Sequence, residues 1–381
     1  MRDVSIVGIG YIPVKKEYDL SLRKLGAEAT RRAMQDAGVD KVDALFVSNF
    51  GCDEFQGQKH VGPLIADELG LYGIEAMQVR AACASGAAAM RVAYLTVASG
   101  QADLAAVVGV EKMDPQISTE ILAKALDAER EIAQGDTMVS IIARLMRMYQ
   151  DRYHVPDGGL DNFPYLAHQN SLHNPAALFN AKEITPEKIR GARTIVDPVK
   201  LFDCSPVCDG AAAIILAPTE QARIFTQTPV RILGSAVAND ALRVSDRKDP
   251  LRMDAARIST QKALQMAKID QKNVNFFEIH DAFSIITCLS LEASGFAQPG
   301  EGWRMAAEGR IWPDGDVPIS TRGGLKARGH PIGATALYQT CEIVEQLTGR
   351  AGENQLKTPE IAMMNSVGGA ASTLITHVFA V

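Results

Sequence analysis

Runs of small and branched apolar residues alternate along this chain with stretches of helical period, and the same order of elements comes round twice. Residues 4–10, 42–48, 75–79 and 104–110 read as strands, separated by helical stretches at 20–37, 61–69 and 84–99, with a closing strand at 210–217. The second round has strands at 230–238 and 274–279, helices at 254–267, 283–294 and 332–347, and final strands at 360–366 and 372–379. Strands joined through helices predict a mostly parallel sheet covered on both faces, hence an α/β fold of two related halves over 1–222 and 223–381. Between 113 and 197 the pattern loosens into a charged helical segment (119–134), a Met-rich helix (138–153) and loops rich in Pro, Asn and Gly, which marks an insertion in the first half.

At 381 residues and 47% hydrophobic content the chain can bury a large core. Its 39 Lys and Arg against 45 Asp and Glu give a net charge of −6 without a long basic run, so nothing draws it to nucleic acid or to an anionic membrane. The apolar run at the N-terminus is too short for a signal peptide, and no stretch reaches the roughly 18 apolar residues of a membrane span. A soluble, cytoplasmic protein is expected. The six cysteines lack the paired spacing of a disulfide scaffold, and Cys204 and Cys208 have no second pair or nearby histidine to complete a metal site, so reduced thiols and no metal are expected.

Three segments carry chemistry. Cys83 follows a strand and opens a small-residue helix, where the positive helix end favours thiolate and is expected to lower its pKa from about 8.5; the alternative is a small buried hydrophobe. His330, between Gly329 and Pro331, can take up and return a thiol proton, or is a solvated loop histidine. His280 ends a strand, at the edge where α/β sheets carry ligand contacts, with Asp281 as expected N-cap of the next helix; the alternative is a packed histidine. The turn Asn365-Ser366-Val367-Gly368-Gly369-Ala370-Ala371 can offer backbone N–H groups to an oxyanion or serve only to bend the chain. Lys326 and Arg328 could meet a phosphate or simply aid solubility, and the Met138 to Met148 stripe reads as core or dimer packing. Gly8-Ile9-Gly10 lacks the third glycine of a dinucleotide fingerprint, position 13 being Pro13, which sets that reading aside.

The segments Ala82-Cys83-Ala84-Ser85-Gly86, His280-Asp281-Ala282-Phe283-Ser284, Gly323-Gly324-Leu325-Lys326-Ala327-Arg328-Gly329-His330-Pro331-Ile332-Gly333-Ala334-Thr335, and Cys204-Ser205-Pro206 followed by Asp209-Gly210-Ala211-Ala212-Ala213 resemble the thiolase superfamily, end to end. The His-Asp start of the second segment is most similar to archaeal-type and sterol carrier protein X-type thiolases. The resemblance implies a five-layered α-β-α-β-α thiolase fold, with 113–197 as a loop domain covering the site and helping to hold coenzyme A. It implies a homodimer or homotetramer, coenzyme A thioesters as substrates and no permanently bound cofactor. By it Cys83 becomes acylated, His330 generates the thiolate, and His280 with His330 polarises the second thioester. The N–H groups of Cys83 and Gly368 form the other oxyanion hole. A hydroxymethylglutaryl-CoA synthase and a zinc-ribbon/OB-fold protein are possible partners by the same resemblance.

The sequence departs from the family where a second cysteine would act as acid/base: those positions hold Ser366 and Ala282, and a hydroxyl is too weak an acid to replace a thiol unaided. Ala336 stands where glycine commonly completes the long motif. The expected activity is acyl-CoA C-acyltransfer through a Cys83 acyl-enzyme, in condensation or thiolysis. Its rivals are acetyl transfer to another acceptor without Claisen condensation, motivated by the missing cysteine, and a scaffold subunit of a multi-enzyme complex.

Overall fold

The computed structural model describes residues 1–381. Its first half contains β1 (Val4–Tyr11), α1 (Leu22–Ala37), β2 (Ala44–Ser48), α2 (Val61–Leu69), β3 (Glu75–Val79), α3 (Ser85–Ser99), β4 (Ala105–Glu111) and, after a long excursion, β5 (Gly210–Pro218). The excursion carries α4 (Met138–Tyr153) and α5 (Asn162–Ser171). The second half runs β6 (Val230–Asn239), α6 (Asp254–Ala267), β7 (Phe276–Glu278), α7 (Ser284–Ala293), α8 (Thr335–Leu347), β8 (Ile361–Gly368) and β9 (Thr373–Ala380).

Nine strands follow the order β3-β2-β4-β5-β1-β6-β9-β8-β7. The halves meet through β1 and β6, paired only at Ser5 with Arg231 and Ile6 with Val230. The order β1-β5-β4-β2 in the first half is matched by β6-β9-β8-β7 in the second, and the counterpart of β3 shrinks to a single bridge between Phe277 and Ile319. The expectation of a mostly parallel sheet is corrected. Only β2/β3, β2/β4 and β7/β8 run parallel, and the other five junctions are antiparallel. A helix between two strands returns the chain parallel, whereas β9 follows β8 through a tight turn and β5 follows β4 through the excursion, so each closing strand enters reversed.

Three cores separate five layers. α1 and α2 cover the outer face of the first half through Leu25, Ala29, Ala33 and Ile65. α3 and α8 lie between the halves, where Met90, Val97, Leu337 and Ile343 pack with Phe46 and Ile214 on one side and Met364 and Phe379 on the other. α6 and α7 cover the second half, joined by α4 from the excursion, through Ala263, Leu289 and Met146. α8 is buried on all sides and α3 over most of its length, which is why α3 is written in small residues.

The charged segment 119–134 is not one helix. It folds as a short helix, Ser118–Ala123, turns, and a single 3₁₀ turn at Ile132–Gln134. No helix is long and apolar enough to cross a membrane.

Candidate active site

Cys83 stands between the end of β3 and the first turn of α3. Ala82, just before it, holds φ +50°, a left-handed conformation that costs a residue with a Cβ roughly 1–2 kcal/mol. Ser85 holds that turn: its Oγ accepts from Ala81 N at 2.9 Å and donates to Ala82 O at 2.6 Å. β8 presses on the same turn, since a Cβ at Gly368 would sit 2.6 Å from Ala81 O. The backbone N–H groups of Gly369 and of Cys83 itself are directed at the sulfur. Gly368 belongs to β8, and Gly369 is the glycine that lines the cavity.

The expected lowering of the Cys83 pKa is overturned. Burial, and secondarily the nearby Glu111 carboxylate, push the thiol up to about 12, and the two N–H groups only partly oppose this. A helix end supplies about half a charge, less than the hydration lost when the thiolate leaves water.

His330 opens the other central helix, so the thiol and this imidazole occupy equivalent junctions in the two halves. The N-termini of α3 and α8 touch: a Cβ at Gly86 would lie 3.1 Å from both the Ala336 Cβ and Gly333 O. His330 N donates to the Cys208 sulfur at 3.1 Å. The Thr335 hydroxyl donates to Pro331 O at 3.1 Å and therefore accepts from His330 Nδ1 at 2.6 Å, which assigns the ring proton to Nδ1 and leaves Nε2 with a free lone pair. Burial, with the neighbouring His280 and the Arg328 cation adding to it, holds His330 well below the usual histidine range, so the ring is neutral.

His280 follows β7. Its N donates to Asn365 Oδ1 at 2.9 Å, and Gln339 Nε2 of α8 donates to Glu278 O and Ile279 O, both at 3.0 Å, fixing the strand end. Burial, and then Arg328, push its pKa down to about 3. Asp281 is not the N-cap: α7 begins at Ser284, and Asp281 Oδ1 accepts from Leu325 N at 2.6 Å, tying this corner to the glycine-rich loop.

Cys83, His280 and His330 line one cavity of about 350 Å³. The excursion supplies much of its wall through Met113, Leu122, Met138, Ile142 and Leu201, and Arg193 is its one arginine. Met138 thus faces the cavity, Met146 enters the core and Met148 is exposed. Ala282 lines the cavity, while Ser366 is buried in β8 opposite Ile375, outside the lining, with its hydroxyl unpartnered.

Lys326 and Arg328 are corrected as phosphate or solubility residues. Both are buried: Lys326 Nζ donates to Asp203 O at 2.6 Å, and Arg328 lies 3.0 Å from Glu342 and 4.9 Å from the Tyr338 ring centroid.

Two site groups escaped the sequence. Glu111 ends β4, fully buried, its carboxylate accepting from Phe50 N and Gly333 N at 2.8 Å and Gly51 N at 3.1 Å. It binds the loop after His330 to the first half, and the available signal was one carboxylate closing an otherwise apolar strand. The other is Cys204, read in the sequence only as part of a family segment and as a rejected metal ligand, which lines the cavity with Ser205, Pro206 and Val207.

The family model described as the thiolase N-terminal domain matches residues 4–220, and that of the thiolase C-terminal domain-like family matches 236–381. An acetyl-CoA acetyltransferase of Methanothermobacter thermautotrophicus is 40% identical over 382 residues, covering all of both chains. Human sterol carrier protein 2 is 26% identical over 396 residues, 99% of this chain and 72% of that one. A solved structure of the Ltp2-ChsH2(DUF35) aldolase superposes with a TM-score of 0.85 at 22% identity, covering 99% of this chain and 97% of that one. With both family models matched across almost its whole length, and the five-layered architecture in place, the chain belongs to the thiolase family.

Proposed function

We propose that this protein is an acyl-CoA C-acyltransferase that forms a thioester on Cys83 and condenses or thiolyses acyl-CoA, for example acetyl-CoA and acetoacetyl-CoA. The observation that carries the reading is the opening of one apolar cavity onto a thiol and two neutral imidazoles. The names of the relatives support the substrate class.

In this reading the acyl-CoA thioester enters the cavity beside Cys83. A thiol with a pKa near 12 carries almost no thiolate at neutral pH, so attack requires simultaneous proton transfer to a base within the site. His330 Nε2 is that base. The charge that develops on the carbonyl oxygen is met by the N–H groups of Cys83 and of the Gly368–Gly369 turn; one such donor is typically worth 10²–10³ in rate. His280 and His330 polarise the thioester oxygen of the second acyl-CoA. Burial keeps both rings neutral until a proton arrives from the reaction itself, so neither charge is lost to bulk water.

Coenzyme A serves as substrate, with no resident cofactor. The halves 1–222 and 223–381 act as one unit with 113–197 as its cover, in a cytoplasmic homodimer or homotetramer. A zinc-ribbon/OB-fold partner and a hydroxymethylglutaryl-CoA synthase are proposed companions, the first supported by the DUF35 protein named with the structural neighbour.

Incubation with acetyl-CoA alone tests the reading. An acetyl mass increment on Cys83 and acetoacetyl-CoA, both abolished by Cys83→Ala, are expected; an unmodified Cys83 across a panel of acyl-CoAs refutes it. The absence of a thiol at positions 282 and 366 favours a second reading, acetyl transfer to another acceptor, which predicts acetylated Cys83 with no acetoacetyl-CoA.

A further inference from the structure

Carbon–carbon bond formation between two acyl-CoA molecules requires a group that removes a proton from the carbon next to the second thioester. The cavity limits the choice. Its titratable side chains are Cys83, Arg193, Cys204, His280 and His330. Once Cys83 carries the acyl group its sulfur is that of a thioester and no longer basic, His330 already holds the proton taken from Cys83, and an arginine has no lone pair to accept with. In this reading His280 donates a hydrogen bond to the thioester oxygen, and a ring nitrogen that donates has no lone pair to accept with.

Cys204 has no role so far, and it sits beside the corner that carries His280. Its backbone bridges Phe283 in antiparallel fashion, and Ser205 N donates to Ala282 O at 2.9 Å. Cys204 therefore lines the cavity beside Ala282 and Phe283, its sulfur making only a weak contact to Lys200 O at 3.7 Å. The buried ammonium of Lys326 donates to the carbonyl of the preceding Asp203, and its charge favours a thiolate at Cys204.

We propose that Cys204 is the second acid/base of the site, protonating the departing coenzyme A sulfur and then removing the α-proton of the second acyl-CoA. The inference rests on the acyltransferase reading above and supplies the step that reading lacks. The protons balance. Cys83 attacks the first thioester as its proton passes to His330. The tetrahedral adduct collapses, the carbon–sulfur bond to coenzyme A breaks, and the leaving thiolate takes the Cys204 proton. Cys204 is now a thiolate facing imidazolium, with Lys326 stabilising it. It takes the α-proton of the second acyl-CoA, and the carbanion attacks the Cys83 thioester. The Cys83–carbon bond breaks and His330 returns its proton to the departing sulfur. Cys204, His330 and Cys83 are then all as they began, and two acyl-CoA have become one 3-oxoacyl-CoA and one free coenzyme A. Burial keeps the Cys204 thiol up at about 11, so it starts the cycle as an acid.

The test uses the full-length protein with Cys204→Ala and Cys204→Ser, acetyl-CoA as probe and D₂O as solvent. Three quantities are read: the acetyl increment on Cys83 at end point, deuterium entering the methyl group of acetyl-CoA, and acetoacetyl-CoA formed. Both variants are expected to acetylate Cys83 fully while exchange and condensation fall at least a hundredfold, within the 10²–10⁴ typical of a positioned acid/base. The serine variant preserves volume, so an unchanged melting temperature with lost exchange separates chemistry from misfolding. Exchange within tenfold of wild type in either variant overturns the assignment and points to His280 or His330. Acetylated wild type that never exchanges also overturns it, whereas a wild type that no acyl-CoA acylates refutes the parent reading instead.

Discussion

The imidazoles of His280 and His330 meet edge to face, ring centroids 5.3 Å apart at 90°, on the wall of the cavity that also holds Cys83. Burial keeps both uncharged, and it keeps the Cys83 thiol protonated, up at about 12. Alkylation of Cys83 by iodoacetamide should therefore climb roughly tenfold per pH unit from pH 7 to 10, following the thiolate fraction. A plateau below pH 8 would instead mean a preformed thiolate. His330→Asn should leave that slope intact while slowing acetylation of Cys83 by about 10²–10⁴.

Arg328 is a structural cation, which gives its replacement a distinct signature. Its guanidinium lies 3.0 Å from Glu342 and over the Tyr338 ring, entirely out of solvent. Arg328→Met removes the partner of the buried Glu342, whose carboxyl is already pushed up to about 8 by burial, and breaking such a buried pair costs about 3–5 kcal/mol. Denaturant unfolding should show that loss, while the KM for acetyl-CoA of the folded fraction stays within about twofold. A phosphate-binding arginine would give the opposite pattern, a raised KM at nearly unchanged stability.

Most of this arrangement was written locally in the chain. Cys83 and His330 could be picked out because each precedes a helix, and His280 because it closes an apolar strand. Strand direction was not legible, since burial periodicity is the same for a strand entered from either end. The Lys326 and Arg328 loop was misread because a glycine-rich segment ordinarily marks a surface turn. Here its glycines let backbone pack inward, and a Cβ at Gly324 would meet the Asp281 carboxylate at 2.5 Å. Cys204 and Glu111 gain their roles from neighbours far along the chain, Phe283 and Gly333, which no short-range pattern reports. The thiol pKa failed for a related reason: helix position can be read from sequence, but desolvation belongs to the assembled cavity.

His377 offers a pH test away from the chemistry. It lies in β9, fully buried, Nε2 3.3 Å from Ala87 O, and burial pushes its pKa down to about 3. In the unfolded chain the ring titrates near 6.5, so below that pH the unfolded state binds a proton the native state refuses. Its contribution is present above about pH 6.5 and is lost as pH falls toward 3. His377→Gln should therefore flatten the fall of unfolding free energy between pH 6 and 4 by up to about 1.4 kcal/mol per pH unit. Parallel wild-type and variant curves over that range would contradict the assignment.

Gly329 makes the joint between the buried loop and His330 testable by a single methyl group. Its φ is +117°, and a Cβ there would sit 2.6 Å from Val14 Cγ1 and 3.1 Å from the Cys208 sulfur, the atom that receives the His330 N–H. Gly329→Ala must move the β1-side wall, the Cys208 contact or the imidazole, and α8 behind it is packed on every side. Gly349→Ala is the matched control: φ is +72°, and the added methyl meets nothing within 4 Å. The control should lose about 1 kcal/mol of stability from backbone strain alone and retain its rate of Cys83 acetylation. The Gly329 variant should lose more stability than the control and at least a hundredfold in that rate, since an ångström of displacement at a proton-transfer partner costs about that much. Equal effects from the two substitutions would show that the tight approach of Gly329 does not govern where His330 stands.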